Sequence, residues 1–361
     1  MKNHFLIDYG VKLTDCHIAL QAPRNDTLDV FQNQITTIVT RLTLIAIIGS
    51  LYVMAGNIYQ IEKLSYPQLD SLDRNKTVFI ISISPLEEHG PHLPIGVDAM
   101  NAYYFAEHTA KALINARPGY DVLLFPMLPL GTQVYRHLGS FYIKPSTLYD
   151  IVFNTGQSLA RYGFKQIFVL SGHGTPKQIV AVESACRKIS KKHKAGMVCL
   201  TGGLTVKFLN GEMYDAIAAK LGISYTADEK RLLKYDYHAG WWETSMMLLL
   251  YPDLVDKSYT NLEPYLKDPI TRKIITEDKK WQGYYGAPAM ASKEFAETSM
   301  TVFTDYIMPL AVSSLVGKDI SREVNSPFGK YPFFHPHFKR NLFIIFIALV
   351  FLVMITLLVF K

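Results

Sequence analysis

The last twenty residues before the C-terminal lysine contain no charged side chain. This run, Asn341–Phe360, reads NLFIIFIALVFLVMITLLVF and lies between Lys339–Arg340 and Lys361. A helix needs about 20 apolar residues to cross the hydrocarbon core of a bilayer, whereas a surface helix of a soluble protein keeps a polar face. The run therefore predicts a C-terminal transmembrane helix, and the rest of the chain has to fold beside a membrane.

A second uncharged run, Leu42–Ile61, permits two interpretations. Only its first fourteen residues are strongly apolar. It is either a second transmembrane helix or the hydrophobic region of a signal sequence with a small-residue site near Ala55. About forty residues precede it, which is long for a signal peptide and favours a span. The chain then divides into a tail (1–41), a first span (42–61), a domain (62–318), a linker (319–340) and a second span (341–360).

The basic residues near the two runs predict the side of the membrane on which the domain lies. On the domain side they are Lys63, Arg74, Lys76, Lys339 and Arg340, against Arg24, Arg41 and Lys361 on the tail side. If both runs span, the positive-inside tendency places the domain in the cytoplasm, at a cell inner or plasma membrane. A signal cleaved near Ala55 would reverse this orientation.

The charge distribution argues against nucleic-acid binding, and the cysteine pattern argues against a thiolate zinc site. The 361 residues carry a net charge of +6, and the densest basic cluster, Arg187–Lys194, has the spacing of a solvated helix end. A nucleic-acid partner is therefore not predicted. The three cysteines, Cys16, Cys186 and Cys199, have no CxxC partner and are interpreted as buried free thiols.

Between the apolar runs, predicted strands and helices alternate along the chain. The predicted strands are Thr77–Ser84, Asp121–Gly131, Gln166–Gly172 and Gly196–Gly203. The predicted helices are Asp98–Ala116, Ser146–Tyr162, one that begins at Pro176, and a helical insertion over Asn210–Lys234. Such alternation predicts an α/β fold of three layers, α/β/α, around a largely parallel sheet, with one or two transmembrane helices added.

Polar segments follow three of these strands at the point where each strand ends. EEHGPH follows Thr77–Ser84, LPLGTQVYRH leaves the strand that begins at Asp121, and SGHGT closes Gln166–Gly172. Open parallel sheets bind their ligands at the carboxyl ends of the strands. The three segments together therefore predict a functional site at this edge.

The first of these segments carries Glu87, His89 and, after a turn stiffened by prolines and glycines, Asp98. Glu87 and His89 are two residues apart at a strand end, so they project to one side while Glu88 points away. Carboxylates and imidazoles together suit zinc or manganese. The alternative is a set of loop hydrogen bonds with Asp98 as a helix N-cap.

Two further segments supply candidate residues. His173 lies between two glycines after a buried strand; it is structural by itself and a third or fourth metal ligand if it shares the edge. His238 precedes Glu243 by five residues at the start of an amphipathic helix. Glu243 is either a first-turn acid favoured by the helix dipole or a base or ligand in the site. Trp241 and Trp242 between them either pack or line a substrate pocket.

Three segments resemble the motifs of the creatininase family. PLEEHGPHLPIGVD, SGHGT and HAGWWETS follow the order of that family's E-x-H-G-x-H-L-P-x-x-x-D, N-G-H-G-x-N and H-A-G-x-x-E-T-S. The likeness covers residues 62–250, extending toward 311, and leaves both apolar runs outside. Members such as creatinine amidohydrolase are metal-dependent hydrolases of cyclic or other non-peptide amides, and others are formamide deformylases or peptidases that trim a cofactor precursor.

The resemblance assigns roles by position. It implies that Glu87, His89, Asp98 and His173 are metal ligands, with Asp98 bridging two ions. It implies that His238 and Glu243 handle protons.

The chain departs from the family pattern at several positions. Ser171 replaces an asparagine, and Thr175 stands where creatinine-cleaving members have an acidic ligand, so Glu243 becomes a further candidate ligand. His137 aligns with a family histidine, but the segment after it differs. These departures fall on substrate and second-metal positions and argue against creatinine itself as the substrate. The predicted substrate-binding residues are His137, Thr175, Trp241 and Trp242.

The sequence therefore predicts a metal-dependent amidohydrolase with one or two Zn²⁺ or Mn²⁺ ions. Metal-activated water would cleave the C–N bond of a small cyclic amide or formamide, and His238 or Glu243 would protonate the leaving nitrogen. The alternatives are a cofactor-precursor peptidase and a membrane-tethered binding or scaffold protein without chemistry. The predicted partners are the small-molecule amide and membrane lipid, and assembly into a homo-oligomer stays open.

Overall fold

The computed structural model describes residues 30, 32–44, 56–267 and 281–359. The chain divides into two units between residues 54 and 55, and the first unit contains an exposed helix over residues 32–44. The second unit contains a five-stranded parallel sheet with the spatial order β1-β3-β2-β4-β5. Its strands are β1 (Ile58–Gln60), β2 (Thr77–Ser82), β3 (Asp121–Leu124), β4 (Gln166–Leu170) and β5 (Gly196–Cys199).

Eleven α-helices of the second unit are found among the described residues. They are α1 (Tyr66–Asp70), α2 (Val97–Ala116), α3 (Pro145–Arg161), α4 (Pro176–His193), α5 (Gly202–Leu209), α6 (Glu212–Leu221), α7 (Ala227–Leu233), α8 (Trp241–Leu250), α9 (Lys293–Leu315), α10 (Ser321–Val324) and α11 (Phe338–Val359). Two 3₁₀ turns, Pro327–Lys330 and Pro332–Phe334, lead into α11. The helices α6 and α7 confirm the predicted helical insertion.

The central strand β2 explains why helices cover both faces of the sheet. All six of its residues are buried, and alternate side chains enter different cores. Val78 and Ile80 pack in the core that contains α2 and α9, whereas Phe79 and Ile81 pack in the core that contains α3 and α4. Full burial of each such side chain contributes about 1.5–3 kcal/mol. The predicted three-layer α/β/α fold is confirmed.

The predicted strands form, but they end before their apolar runs do. β3 ends at Leu124 rather than Gly131, because Pro126 and Pro129 follow and a proline cannot donate a ladder hydrogen bond. β5 ends at Cys199, and helix α5 begins at Gly202, inside the predicted strand. Apolar continuity alone therefore does not mark where pairing stops.

The sheet contains an edge strand that the sequence interpretation missed. Ile58–Gln60 pairs in parallel with Val122–Leu124. The predicted transmembrane run Leu42–Ile61 is therefore wrong at its carboxyl end, since these residues are paired in the sheet. Residues 45–55, which include the site near Ala55, lie outside the described residues.

The interpretation of the basic cluster and of two cysteines agrees with the structure. Arg187 and most of the other basic residues up to Lys194 are exposed at the end of α4. Cys186 and Cys199 are buried free thiols, as predicted. Cys16 lies outside the described residues.

The C-terminal helix α11 is long and apolar enough to cross a membrane, and Phe338–Leu358 is the segment that meets this criterion. No part of it is buried inside the protein. The predicted linker before it is partly folded onto the domain. Val324 is fully buried, and Ser326 hydrogen-bonds through its N–H and Oγ to the carboxylate of Glu183 on α4.

Candidate metal centre

The loop after β2 places Glu87 and His89 at the carboxyl edge of the sheet, where both side chains are fully buried. The N–H of Glu87 donates to the Ile95 carbonyl at 2.9 Å, and the N–H of Tyr135 donates to Glu87 Oε1 at 2.5 Å. His89 Nδ1 lies 3.0 Å from the Glu87 carbonyl, which can only accept, so Nδ1 carries a proton. Nε2 is then the lone-pair nitrogen of a neutral His89.

Glu87, Asp98 and His173 form a first ligand group. His173 Nδ1 lies 3.2 Å from Glu87 Oε2 and 3.2 Å from Asp98 Oδ2. All three side chains are buried. Oxygen and nitrogen ligands held at about 2.0–2.2 Å from one ion lie roughly 3–3.6 Å from each other. The spacing of this group therefore suits a shared cation.

His89, His238 and Glu243 form a second ligand group beside the first. His89 Nε2 lies 3.5 Å from Glu243 Oε2 and 3.8 Å from Asp98 Oδ1, and the His89 and His238 rings are 4.2 Å apart. Within each group the potential ligand atoms all lie within 4.8 Å of one another. Asp98 thus directs one oxygen toward each group.

Two helices begin at the site and carry its acids in their first turns. Asp98 is in the first turn of α2, and Glu243 is in the first turn of α8. The partial positive charge at a helix N-terminus favours a carboxylate there. The alternative in which Asp98 caps α2 is wrong, because Gly96 is the N-cap residue and Asp98 points into the site.

The start of α8 is fixed by an acid that the sequence interpretation missed. The carboxylate of Asp236 accepts the N–H groups of Trp241 at 2.6 Å and Trp242 at 2.9 Å. Just before the helix, Ala239 has a φ of 49°, a left-handed conformation that costs about 1–2 kcal/mol for a residue with a Cβ. In this conformation its N–H donates to Glu243 Oε2 at 2.5 Å. The strained residue therefore orients the carboxylate of Glu243.

A close backbone approach brings His173 next to Asp98. A Cβ on Gly172 would lie 2.4 Å from the Asp98 carbonyl oxygen, so no side chain fits there. The end of β4 consequently packs directly on the first turn of α2. The two elements then place their ligand side chains at a separation set by backbone contact.

Negative charge dominates the electrostatic potential of the two groups. Burial lowers the pKa of His89, but the carboxylates of Glu243 and Asp98 outweigh it and raise the pKa to about 10. In the same way, Asp98 and Glu87 outweigh the effect of burial on His173 and raise its pKa to about 9. Burial raises the pKa of Glu87. The carboxylates therefore strongly favour a positive charge between them.

The unpaired atoms of the site test whether a metal ion fits. Glu87 Oε2, His89 Nε2, Asp98 Oδ2 and His173 Nε2 are buried and have no hydrogen-bond partner. Unpaired buried acceptors are costly, and a metal ion bound between His89 Nε2 and the carboxylate oxygens would satisfy them. Carboxylates with imidazoles are the donors that Zn²⁺ and Mn²⁺ bind. The residues present therefore fit one or two such ions.

His238 is surrounded by residues that the sequence interpretation did not assign to the site. Its Nε2 donates to the Glu88 carbonyl at 2.7 Å, and Glu88 Oε1 lies 3.7 Å away. The ring of Tyr135 lies 4.6 Å from the His238 ring, and that of Trp281 lies 6.4 Å away. Glu88 was expected to point away, and it joins neither ligand group but is buried against His238. The only sequence signal for Tyr135 was its place in LPLGTQVYRH.

The predicted substrate-binding residues lie in different places. Thr175 and Trp242 line a cavity of about 780 Å³ that also contains His173, His238 and Glu243 in its wall. Trp241 instead packs in the hydrophobic core, with its ring 5.3 Å from that of Phe295, and is not part of the cavity wall. His137 is exposed and is not part of the cavity wall.

Similar known proteins were found by sequence and by structure, and the two comparisons agree on the kind of protein. The sequence model of the family described as creatininase, creatinine amidohydrolase, matches residues 62–311. The creatinine amidohydrolase of Pseudomonas putida is 25% identical over 186 residues, which cover 50% of this chain and 66% of that protein. The chain thus matches just under two thirds of the length of this relative.

Solved creatininase structures share the fold. A creatininase described as the Mn form has 18% identity and a TM-score of 0.54 and is matched over 74% of this chain and 99% of its own. A mutant creatininase of Zn–Zn type, also 18% identical with a TM-score of 0.54, is matched over 74% and 98%. A mutant creatininase complexed with creatine has 19% identity and a TM-score of 0.53, over 71% and 96%.

Proposed function

The chain belongs to the creatininase family, and on that premise we propose that it is a metal-dependent amidohydrolase that cleaves the C–N bond of a small cyclic amide or formamide. The observation that carries the proposal is the pair of buried ligand groups at the carboxyl edge of the sheet. The first group contributes His173 to the wall of the cavity, and the second contributes His238 and Glu243. A substrate in the cavity therefore contacts both groups.

The two ligand groups suggest the metal positions. Glu87, Asp98 and His173 would hold one ion, and His89 and Glu243 of the second group would hold the other together with Asp98, which leaves His238 for proton transfer. When bound, such ions polarise the amide carbonyl and provide a nucleophile at neutral pH. Asp98 is the proposed shared ligand, since its two oxygens face different groups. Thr175 stands where creatinine-cleaving members have an acidic ligand, and Glu243 would supply that ligand to the second ion.

His238 is the proposed proton carrier. Because the Glu88 carbonyl can only accept, His238 Nε2 carries a proton and Nδ1 is the nitrogen that takes up another. The contact with Glu88 fixes the ring while it gains and loses that proton. General acid–base groups of this kind commonly contribute about 10²–10⁴-fold in rate. Protonation of the leaving nitrogen then completes cleavage of the C–N bond.

A cofactor-precursor peptidase is the second candidate. Tyr214 on α6 and Leu233 at the end of α7 line the cavity, so the helical insertion shapes the space beside the proposed metal centre. A longer substrate such as a peptide would contact these residues, whereas a small cyclic amide would not. Cleavage of short peptides in preference to cyclic amides and formamides would favour this candidate.

The test is elemental analysis of the purified full chain, followed by a screen of cyclic amides, formamides and short peptides. We expect one or two equivalents of zinc or manganese and hydrolysis of at least one amide. A protein without bound metal and without turnover on any of these compounds would support the binding or scaffold alternative and overturn the proposal.

A further inference from the structure

We propose that the substrate carries an apolar chain and enters the cavity from the membrane surface, past the aromatic residues of the Phe328–Phe334 segment. This inference rests on the proposed function and specifies its substrate class. The reaction adds water across the amide: the C–N bond breaks, a C–O bond forms at the carbonyl carbon, and a proton passes to the leaving nitrogen. The products are a carboxylic acid and an amine, one of which bears the apolar chain.

The size of the cavity is the first argument. Its volume of about 780 Å³ is in the upper part of the 300–1,000 Å³ range that holds drug-sized ligands. A cyclic amide as small as creatinine would fill only the part beside His173, His238 and Glu243. The remaining space therefore has room for a substituent several carbons long.

The wall of the remaining space is mostly apolar. Beyond the ligand groups its apolar members include Leu204, Phe208, Trp242, Met300 and Phe303, and its polar members include Thr201, Thr205 and Lys234. Leu204, Met300 and Phe303 belong to the core between α5, α8 and α9 and are almost fully buried. A chain of methylene groups would gain about 0.8 kcal/mol for each CH₂ buried against such a wall. A polar substituent would instead lose hydrogen bonds to water.

The mouth of the cavity is the second argument. Phe328, Tyr331, Phe333 and Phe334 contribute to its lining, although Tyr331 and Phe333 are each 52% exposed. The segment is held to the domain by the hydrogen bonds between Ser326 and Glu183. The start of the segment is thus held against the domain, and its half-exposed aromatic rings lie where the cavity lining meets solvent.

The position of α11 sets the third argument. Helix α11 begins at Phe338, four residues after Phe334, and an extended chain of four residues spans at most about 14 Å. If α11 crosses a bilayer, the rim lies within about that distance of the helix entry point. Tyrosine and tryptophan rings are enriched at membrane interfaces. An amphiphilic amide dissolved in the bilayer would reach the cavity without passing through water.

The test uses the full chain in phosphatidylcholine vesicles and a series of N-alkylformamides from N-ethyl to N-dodecyl, with formate release as the readout. We expect kcat/KM, calculated with the free aqueous concentration of each formamide, to rise about fourfold for each added methylene, which corresponds to about 0.8 kcal/mol, until the cavity is filled. Leu209→Asp places a charge in the lining, and we expect it to lower kcat/KM for the longest substrate at least tenfold more than for the shortest. Ile223→Asp is the matched control, since Ile223 is 49% exposed against 45% for Leu209 and is outside the lining.

A binding measurement keeps the inference testable whatever the turnover. Displacement of the fluorescent fatty acid cis-parinaric acid by N-dodecylformamide is expected in the wild type and at least tenfold weaker in Leu209→Asp. Equal kcat/KM across the series would overturn the inference and leave the proposed function standing, as would parinaric acid binding that Leu209→Asp does not weaken. Hydrolysis of no amide, together with no bound metal, would overturn the proposed function itself.

A separate experiment tests whether the substrate enters the cavity from the membrane. N-dodecylformamide is supplied either in the protein's vesicles or in detergent micelles with detergent-solubilised protein. We expect Phe333→Ser to slow the reaction severalfold more in vesicles than in micelles, and Tyr66→Ser, an exposed control outside the cavity, to act equally in both. An equal effect of Phe333→Ser in the two settings would overturn the route from the membrane surface.

Discussion

Asp98 connects the two ligand groups because its carboxylate lies between their histidines. Its Oδ2 is 3.2 Å from His173 Nδ1, and its Oδ1 is 3.8 Å from His89 Nε2. Burial raises the pKa of Asp98, but His173 and His89 outweigh it and lower the pKa to about 2. The carboxylate is therefore ionised throughout the physiological range and can serve both groups.

Replacement of Asp98 by alanine is expected to abolish metal binding and activity together. Without the shared carboxylate, two cations would face each other with no anion between them. Metal content per chain and turnover on the amide found in the screen are the measurements. Asp150→Ala, in an exposed position on α3, is the control that should keep both. An Asp98→Ala protein that retains two ions would falsify the assignment of the shared ligand.

Glu243→Gln is expected to separate metal binding from turnover. The glutamine keeps the shape of the side chain but loses the charge beside His89 and the capacity to accept a proton. We expect one ion to remain in the first ligand group and activity to fall by about 10²–10⁴-fold. The same two measurements check this, and full activity in the variant would remove Glu243 from the mechanism.

At the level of single residues, the sequence predicted which candidate ligand side chains lie close together better than it predicted their neighbours. Six of the candidates come together in the structure: Glu87, His89, Asp98, His173, His238 and Glu243. This was predictable because strand ends and helix starts can be recognised from local patterns. Tyr135 rather than His137 lies against the site, and Trp241 is buried in the core whereas Trp242 lies at the edge of that core and lines the cavity. Which of two similar residues faces inward depends on packing between distant elements, which local patterns do not contain.

Among the elements, the contact between α4 and the segment before α11 is sensitive to pH. Burial of Glu183 raises its pKa to about 7, against the hydrogen bonds from Ser326, which lower it. In the unfolded chain the value is near 4.5. The folded state therefore binds the proton more tightly, and this contribution to stability is fully present below pH 4.5 and is lost as the pH rises toward 7.

Glu183→Gln is expected to remove this dependence on pH. One pH unit corresponds to about 1.36 kcal/mol, so the gap from 4.5 to about 7 sets an upper limit near 3 kcal/mol. The free energy of unfolding of the variant, relative to wild type, should therefore improve by up to that amount between pH 4.5 and pH 8. Urea unfolding at both pH values is the measurement, with Glu294→Gln, at an exposed position of α9, as control. If the variant and the wild type differ in free energy of unfolding by the same amount at pH 4.5 and pH 8, Glu183 does not titrate in this range.

The elements also show where sequence patterns stop being informative. β2 and β4 were predictable because each is a continuous apolar run covered on both faces. β1 was not, since its three residues continue an apolar run and only their pairing with β3 makes them a strand. Similarly, the residues before α11 read as a linker, but Val324 and Ser326 pack on the domain through contacts more than a hundred residues apart in sequence.

For the whole molecule, α11 contributes no buried surface to the domain. Deletion of Asn341–Lys361, together with residues 1–54, is expected to leave a folded protein with its metal content unchanged in detergent-free buffer. Thermal unfolding and elemental analysis are the measurements. Aggregation of this truncated chain would mean that the domain boundary is wrong.

The orientation of the whole molecule in a membrane is a separate prediction. The basic residues on the domain side of the two runs predict that the domain faces the cytoplasm. Protease added to intact cells should therefore leave the domain undigested, and digestion should follow only after the membrane is opened. Digestion from outside the intact cell would reverse the assignment.

The second ligand group draws its members from distant parts of the chain. His89 follows β2, whereas His238, bonded to the carbonyl of a residue 150 positions earlier, and Glu243 lie at the start of α8. A cation bound there would act as a reversible cross-link that closes a loop of about that length and restricts the unfolded chain. The lifetime of the folded protein would then depend on how much free metal its compartment supplies. Scarcity of the metal would reduce the abundance of the protein as well as its activity.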